Sequence, residues 1–400
     1  MYDLLVIGGG PGGATCARRA ALRGLDVVLI EKIAHPRDKV CGGALSPKVR
    51  DILDFDISKL VEREFTSVAI HRPSGKMTTL SKDGFSGDII RRNEFDKYLI
   101  DKAKKSGVEV IEDTEIIAIE QLRKGIRALS KGDSFKGHLL VGADGVNGIS
   151  MKTLGIKNHW RPDEAAVCIC TEVTFGENEI EKIPESYTNA VSQAIELYFG
   201  FSNWGYGWCF PTKSGVRIGL GCRSDRAESI RDDWYRLCKK IEIDKQVDIK
   251  KEYETSARIP LGGIPNRHIG RRSMLVGDAA GLVSPVTGEG ISYAIESGIL
   301  AADVAVEAVR SKAPSHIIEY ERKLEQYITG DLKDLRTFAE ILNRSDKNVE
   351  LICDISDKDP VFQNYLLSIL SRSSAVSDLK NKIVKRLLIH HPLKAIKLGL

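Results

Sequence analysis

The alternation of apolar and polar positions divides the chain into elements from its first residues. Residues 4–32, LLVIGGGPGGATCARRAALRGLDVVLIEK, hold an apolar run, a glycine-rich turn, an alanine-rich stretch closed by Gly24, and a second apolar run ending at Glu31. That order predicts strand, helix and strand, a βαβ unit. The stretch SVAIHRPSGKMTTL predicts a hairpin with Pro-Ser-Gly at its turn. Between Asn93 and Lys105 the spacing of Phe95, Leu99 and Ala103 predicts an amphipathic helix, followed by strands near 108–120 and 135–143. From about 164 to 260 the runs AAVCICTEV, AIELYFG and GVRIGLG predict an inserted antiparallel sheet. RRSMLVGDAAG predicts another buried strand running into a turn, with a long alanine-rich helix beyond it to about Arg310. The remaining residues are mostly helical in pattern.

Composition narrows the class without changing this outline. With 400 residues, 42% hydrophobic and 28% charged, the chain is long enough for two or three domains with sizeable cores and is expected to be soluble and globular. A net charge of +4 spread along it does not favour nucleic acid, and no basic stripe is interleaved with aromatics. The eight cysteines include no C-x-x-C pair and have no ligand-spaced histidine, so neither zinc nor an iron–sulfur cluster is signalled. Reduced thiols and a cytoplasmic location are expected. The apolar start is too short to span a membrane and lacks a charged flank and a cleavage site.

Gly8, Gly10 and Gly13 form G-x-G-x-x-G where the first strand turns into the helix. There, small residues let the backbone approach a pyrophosphate, and the helix N-terminus supplies N–H donors and positive dipole. Glu31, eighteen residues after Gly13, stands where an acid accepts hydrogen bonds from an adenosine ribose and repels a 2′-phosphate. Two more glycine-acid junctions follow apolar runs: Asp144-Gly145 in LLVGADGVNG, and Asp278 in SMLVGDAAGLVSPVTGEGISYAIESG, with Gly288 and Gly290 before a helix. Three such junctions far apart in sequence suit one long dinucleotide lying across a sheet, FAD rather than NAD, with Asp278 at a ribityl hydroxyl. The expected architecture is therefore α/β: a Rossmann-like FAD-binding domain with an antiparallel-sheet substrate domain and a helical C-terminal region. The FAD-binding domain takes 1–155, with a hairpin excursion at about 60–85 to the substrate domain, and 266–312; the substrate domain takes 156–265 and the helical region 313–400.

GGGPGG, IIRRNEFDKYL, VGADGVN and VGDAAGLVSPVTGEGI resemble the four signatures of the flavoprotein hydroxylase superfamily. Within it, KVCGGALSP and GYGWCFP resemble the geranylgeranyl reductase family, which saturates double bonds of isoprenoid chains. The resemblance covers residues 1–310 well and the remainder loosely. It implies that Ala14 lies beside the pyrophosphate, Glu31 on the adenosine ribose, and Cys41, Gly42 and Ala44 along the flavin. It also implies that Arg92 contacts the phosphates or ribityl chain, with a surface salt bridge as the alternative, and that Ala118 makes a backbone contact to adenine. Asp278 then meets the ribityl chain, while Gly290 and Ile291 direct N–H groups at the flavin C2 carbonyl, where a helix N-terminus favours the anionic reduced ring.

In NWGYGWCFP, aromatics alternate at Trp204, Tyr206, Trp208 and Phe210, which on a strand puts all four side chains on one face. The family pattern is matched at Tyr206, Trp208, Phe210 and Pro211, with Asn203 standing where the family has proline. The face is either an aromatic core layer or the wall of an apolar tunnel for a prenyl chain, with Tyr206, Trp208 and Phe210 binding it. Reducing an isolated alkene needs a proton on one carbon and hydride from flavin N5 on the other, through a transition state with tertiary-cation character that aromatic faces stabilise. Cys41 is either the proton donor or a small residue that packs on the isoalloxazine ring.

The last residues, VSDLKNKIVKRLLIHHPLKAIKLGL, carry six Lys or Arg against a single Asp, with Leu379, Ile383 and Leu387 at helical spacing. This basic helix either lies at an anionic membrane surface, making the protein peripheral, or packs its apolar stripe on the fold. The function expected is an FAD-dependent reductase of geranylgeranyl chains, on a membrane-lipid precursor such as a digeranylgeranylglycerophospholipid. Its partners are the prenyl lipid and an external reductant, whether NAD(P)H, ferredoxin or another donor, since no second G-x-G-x-x-G occurs. The alternatives are an FAD monooxygenase or halogenase of the same fold and a quinone-linked electron-transfer flavoprotein.

Overall fold

A computed structural model describes residues 1–174, 193–249 and 254–399; parts of the expected substrate domain, 175–192 and 250–253, fall outside the described residues. The chain divides into two units, one of Met1–Lys39, Arg92–Arg161 and Ile259–Lys333, the other of Val40–Arg91, Pro162–Arg258 and Asp334–Leu400.

The first unit is built on a seven-stranded sheet. Its parallel strands are β1 (Tyr2–Ile7), β2 (Val27–Ile30), β8 (Glu109–Ile111), β11 (Ser134–Gly142) and β17 (Ser273–Leu275). The antiparallel β9 (Ala118–Leu122) and β10 (Gly125–Leu129) extend it, giving the order β8-β2-β1-β11-β10-β9 with β17 also on β11. Leu4 to Ile7 and Val27 to Ile30 are buried along their whole length, as strands covered on both faces must be. The single strand expected near 108–120 is in fact two, β8 at one edge of the sheet and β9 at the other.

Helix α1 (Pro11–Leu22) starts with proline at its first position, where the missing N–H costs nothing. It packs on α3 (Arg92–Lys105) and on α6 (Ile291–Arg310). The approach to α6 depends on glycine: a Cβ on Gly298 would lie 2.3 Å from the Gly12 carbonyl oxygen, and one on Gly12 would lie 2.9 Å from that of Ala294. Two short helices, α4 (Ser150–Thr153) and α7 (Ile318–Leu324), complete the unit; in α7, Tyr320 donates to the Leu275 carbonyl at 2.6 Å.

The second unit contains another seven-stranded sheet, in the order β16 (Thr255–Pro260), β12 (Ala165–Thr174), β15 (Gly215–Arg223), β14 (Gly205–Pro211), β13 (Ala194–Tyr198), β5 (Ser67–His71) and β6 (Met77–Ser81). β12, β15, β14 and β13 are antiparallel, whereas β13 runs parallel to β5 with Ile195 opposite Val68. Strands β3 (Ala44–Leu45), β7 (Gly87–Ile90) and β4 (Val61–Phe65) form a small third sheet beside α2 (Lys48–Ile52). Helix α5 (Ile230–Lys245) interrupts the region expected to be all β and buries Trp234, Leu237, Cys238 and Ile241 against Ile218 and Leu220. At the centre of the sheet Glu196 accepts from Lys245 Nζ at 2.6 Å and from the Tyr198 hydroxyl at 2.6 Å, and pairs with His71 Nε2 at 2.9 Å.

Helices α8 (Gly330–Leu342), α9 (Asp346–Ser356), α10 (Pro360–Ser371), α11 (Val376–His390) and α12 (Pro392–Leu398) close the chain, with α9 and α10 against β6. In α11 the stripe Leu379, Ile383 and Leu387 is buried. Of the two readings of the basic helix, that stripe follows the packed one.

Candidate active site

In the first unit the glycine turn, the 142–144 junction and the 277–291 junction meet. Gly8 has φ +104°, and a Cβ there would fall 2.3 Å from the Ala143 carbonyl oxygen; a Cβ on Gly13 would fall 2.0 Å from the Gly8 oxygen. No larger residue fits at either position. Over Gly10 the space is open, with Arg37 Nη2 the nearest atom at 3.8 Å from a Cβ position. Ala14 is buried in the first turn of α1, its N–H bonded to the Gly10 carbonyl at 2.9 Å.

Glu31, at the end of β2, is buried and braces the turn: Oε2 accepts from the Gly9 N–H at 2.6 Å and Oε1 from the Ile33 N–H at 3.2 Å. A carboxylate has about four lone-pair directions, so acceptor capacity remains for a sugar hydroxyl. Arg92 is held bidentately by Asp96 at 2.9 and 2.8 Å, inside the chain rather than on the surface. The arginine nearest the turn is Arg37, between Glu31 at 3.8 Å and Asp96 at 3.6 Å. Neither Arg37 nor His35 was singled out from the sequence, although the HPRDK stretch holds both directly after the second strand.

Three polar atoms around this turn are buried without a hydrogen-bond partner among the described residues: Thr15 Oγ1, His35 Nε2 and Arg37 Nε. Buried polar groups are normally paired, so these orphans together with the open space over Gly10 fit a polar, phosphate-bearing ligand such as the adenosine half of FAD. Ala118 begins β9 opposite Leu129, four residues beyond Thr114, whose N–H donates to the Glu31 carbonyl at 3.0 Å. Asp278 follows β17, and its Oδ1 lies 3.3 Å from a Cβ position on Gly290, directly before α6; Ile291 is the first residue of that helix. A carboxylate at a helix N-terminus is favourably placed. Asp144 behaves differently from the other two junction acids. Its carboxylate turns back to accept from the Ser150 N–H at 2.9 Å, and burial pushes its pKa up.

In the second unit Cys41, Gly42 and Ala44 form a loop running into β3. The half-buried Cys41 Sγ accepts from the Gly43 N–H at 3.3 Å, and Ala44 pairs with Ile89. A Cβ on Gly42 would lie 2.6 Å from the Phe210 ring and 3.2 Å from Trp208 Nε1, so the loop rests against β14. Along β14 the rings of Tyr206, Trp208 and Phe210 follow one another at 6.3 and 6.4 Å, with Phe199 5.8 Å from Tyr206. Burial, reinforced by the nearby Cys168 and Cys41, pushes the Tyr206 phenol up, which keeps it protonated. Trp208 lies over Gly219 of β15, and its Nε1 is buried without a hydrogen-bond partner among the described residues. Trp204 departs from the expected face. It precedes the strand at φ +56°, with the Arg223 guanidinium 3.9 Å from its ring centre.

Beneath the Cys41 loop is a set of charges that an apolar tunnel did not lead one to expect. Arg217 Nη1 donates to the carbonyls of Gly42 at 3.0 Å and Ile90 at 3.1 Å, while Nη2 pairs with Glu172 at 3.1 Å and Glu62 at 3.4 Å. Arg91 bridges the same two glutamates. The signal was an arginine in the middle of an otherwise apolar strand, GVRIGLG.

Residues 1–328 match the family model described as FAD binding domain. The chain is 30% identical over 399 residues to geranylgeranyl diphosphate reductase of Rhodobacter capsulatus, covering 95% of both chains. It is 28% identical over 403 residues to digeranylgeranylglycerophospholipid reductase of Methanocaldococcus jannaschii, covering 92% of this chain and 98% of that one. The crystal structure of a geranylgeranyl bacteriochlorophyll reductase-like protein from Thermoplasma acidophilum has the same fold, with a TM-score of 0.81 at 22% identity, over 100% of this chain and 98% of that one.

Proposed function

We propose that this chain, which belongs to the FAD-binding domain family and, within it, to the geranylgeranyl reductases, saturates carbon–carbon double bonds of geranylgeranyl chains on a membrane-lipid precursor. It is an FAD-dependent oxidoreductase. The observation that carries the finer reading is the file of rings at Tyr206, Trp208 and Phe210, continuous with Phe199 and lined on one side by Gly42.

Bound FAD supplies the hydride, after an external donor has reduced it. The chain's own residues do the rest. Gly8, Gly10, Gly13 and the start of α1 receive the pyrophosphate, Glu31 accepts from the ribose, Arg37 adds a donor toward the adenosine half, and His35, whose Nδ1 donates to Glu112, offers Nε2 as an acceptor. Asp278, Gly290 and Ile291 receive the ribityl chain and flavin ring. Tyr206, Trp208 and Phe210 hold the prenyl chain, exclude water, and stabilise the positive charge that develops as the alkene is protonated, by about 0.5–2 kcal/mol per well-placed ring. Cys41 is assigned the proton; one proton and one hydride add across each double bond, and nothing else is exchanged. Unchanged turnover in Cys41→Ala with full FAD content would remove Cys41 from that role.

The reading is tested by reducing the purified protein without oxygen, adding a geranylgeranylated phospholipid, and following the product by mass. A gain of two hydrogens per double bond supports it. A product formed only when oxygen is admitted, carrying added oxygen or halogen, excludes it.

A further inference from the structure

The exposed aliphatic residues are not evenly distributed in the second unit. Leu388, Ile389, Leu393 and Ile396 are 49, 59, 76 and 68% exposed, and they fall within nine residues where α11 ends and α12 begins. Isolated exposed aliphatics need no explanation, but a contiguous set does.

The corner is held firmly from beneath. Asp359 caps α10 through the N–H groups of Val361 and Phe362 at 3.1 Å each, and it also accepts from Arg386 Nε at 2.6 Å and pairs with His391 Nε2 at 3.0 Å. Ile383, Leu387, Ala395 and Leu398 are buried on the inner side. The outward residues are therefore presented on a fixed base. Leu393 and Ile396 share a face of α12, and Lys385 precedes Leu388 and Ile389 by one turn of α11.

Charge decides what covers this surface. Arg386 is neutralised by Asp359 and Lys380 by Asp334 at 2.7 Å, whereas Lys382, Lys385 and Lys397 are exposed and make no ion pair with a described residue. No acidic residue follows Asp378. Lys394 of α12 is paired as well, with Asp354 at 4.0 Å, so a second copy docked face to face would set the three unpaired lysines against their counterparts. Anionic headgroups around an apolar interior match the pattern instead. Among the described residues no helix is long and apolar enough to cross a membrane, so the fit is to a surface.

We infer that the α11–α12 corner docks the protein on an anionic lipid bilayer, Leu388, Ile389, Leu393 and Ile396 entering the headgroup boundary and Lys382, Lys385 and Lys397 meeting the headgroups. The inference rests in part on the proposed membrane-lipid substrate, and its test contains no such lipid, so the two can fail separately. The FAD-loaded full chain is sedimented with vesicles of phosphatidylcholine alone and of phosphatidylcholine with phosphatidylglycerol. The wild type is expected to pellet with the anionic vesicles and to be released by salt. The pair Leu393→Asp and Ile396→Asp should weaken that binding about tenfold or more. Ile243→Asp, at an aliphatic 65% exposed on α5, should not. Unchanged unfolding temperature and FAD content establish that the variants fold. The inference is overturned if the wild type stays in solution with both vesicles, if the double variant pellets like the wild type, or if the patch instead forms a dimer that the double variant dissolves. Reduction of detergent-dispersed geranylgeranyl chains by that variant at the wild-type rate would separate docking from chemistry.

Discussion

Replacing Gly219 by alanine places a methyl group 2.0 Å from Trp208 Cζ2 and 2.3 Å from Cε2. Carbon atoms in contact settle at about 3.5–4.0 Å, so the indole must retreat by roughly 1.5 Å. It has little room to do so. Trp208 is buried, flanked by Tyr206 and Phe210, and its Nε1 stands 3.2 Å from a Cβ position on Gly42. Overpacking of this kind costs about 1–3 kcal/mol, a fall in Tm of roughly 2–12 °C for a unit of this size. Because the ring is pushed along the aromatic file, KM for the prenyl chain should rise, while FAD content stays at the wild-type level. Gly221→Ala is the control. Its nearest neighbour is Cys168 Sγ at 3.0 Å, with Trp208 Cζ3 at 3.6 Å, and a thiol can turn aside. It should cost less than about 1 kcal/mol. Thermal unfolding and steady-state reduction of geranylgeranyl chains measure both variants. Gly219→Ala melting and turning over like the wild type, or Gly221→Ala proving the more damaging of the two, would show that Trp208 is not crowded against Gly219.

Further predictions concern the charges. Glu31→Ala removes the acceptor that Gly9 uses at 2.6 Å, and should weaken FAD binding about tenfold to hundredfold, read as flavin per protein on dilution. Arg217→Met leaves Glu62 and Glu172 with Arg91 as their one remaining shared partner and frees the Gly42 and Ile90 carbonyls; urea unfolding should show a loss of about 1–3 kcal/mol, and a loss below about 0.5 kcal/mol would contradict a stabilising ion-pair network. Burial pushes the Glu196 carboxyl up, but His71, Lys245 and Tyr198 outweigh it and bring the pKa down to about 2 from 4.5. The folded state therefore binds fewer protons, so this stabilisation is complete above about pH 4.5 and is lost as pH falls toward 2. Tm should drop through that window, and Glu196→Gln should flatten the slope.

The nucleotide-binding half of the molecule was legible because its determinants are local. Gly8, Gly10, Gly13 and Glu31 lie within one βαβ unit, and a strand followed by glycines and a helix has few other realisations. Gly290 and Asp278 are also close in sequence, and their contact follows from the same strand-to-helix turn. The charges under the Cys41 loop were not legible, since Glu62, Arg91, Glu172 and Arg217 come from separate segments and meet only through strand pairing. Helix α5 was legible in principle: Trp234, Leu237, Cys238 and Ile241 follow helical spacing, but they sit between β-rich runs. Trp204 continues the alternation of its neighbours, and only its positive φ removes it from their face. In α11 the adjacent Leu387 and Leu388 differ in burial because the neighbouring helices, α10 and α12 among them, cover one side of it, and periodicity does not say which side a neighbour covers.

In the proposed reaction, electrons leave the reduced protein for an alkene. A single-turnover experiment addresses it directly: the bleached, FAD-loaded protein is mixed without oxygen with excess geranylgeranylated phospholipid, and absorbance and lipid are followed together. Yellow absorbance is expected to return as double bonds disappear, one for each flavin. Protein that stays bleached beside unchanged lipid until air is admitted would contradict that reaction.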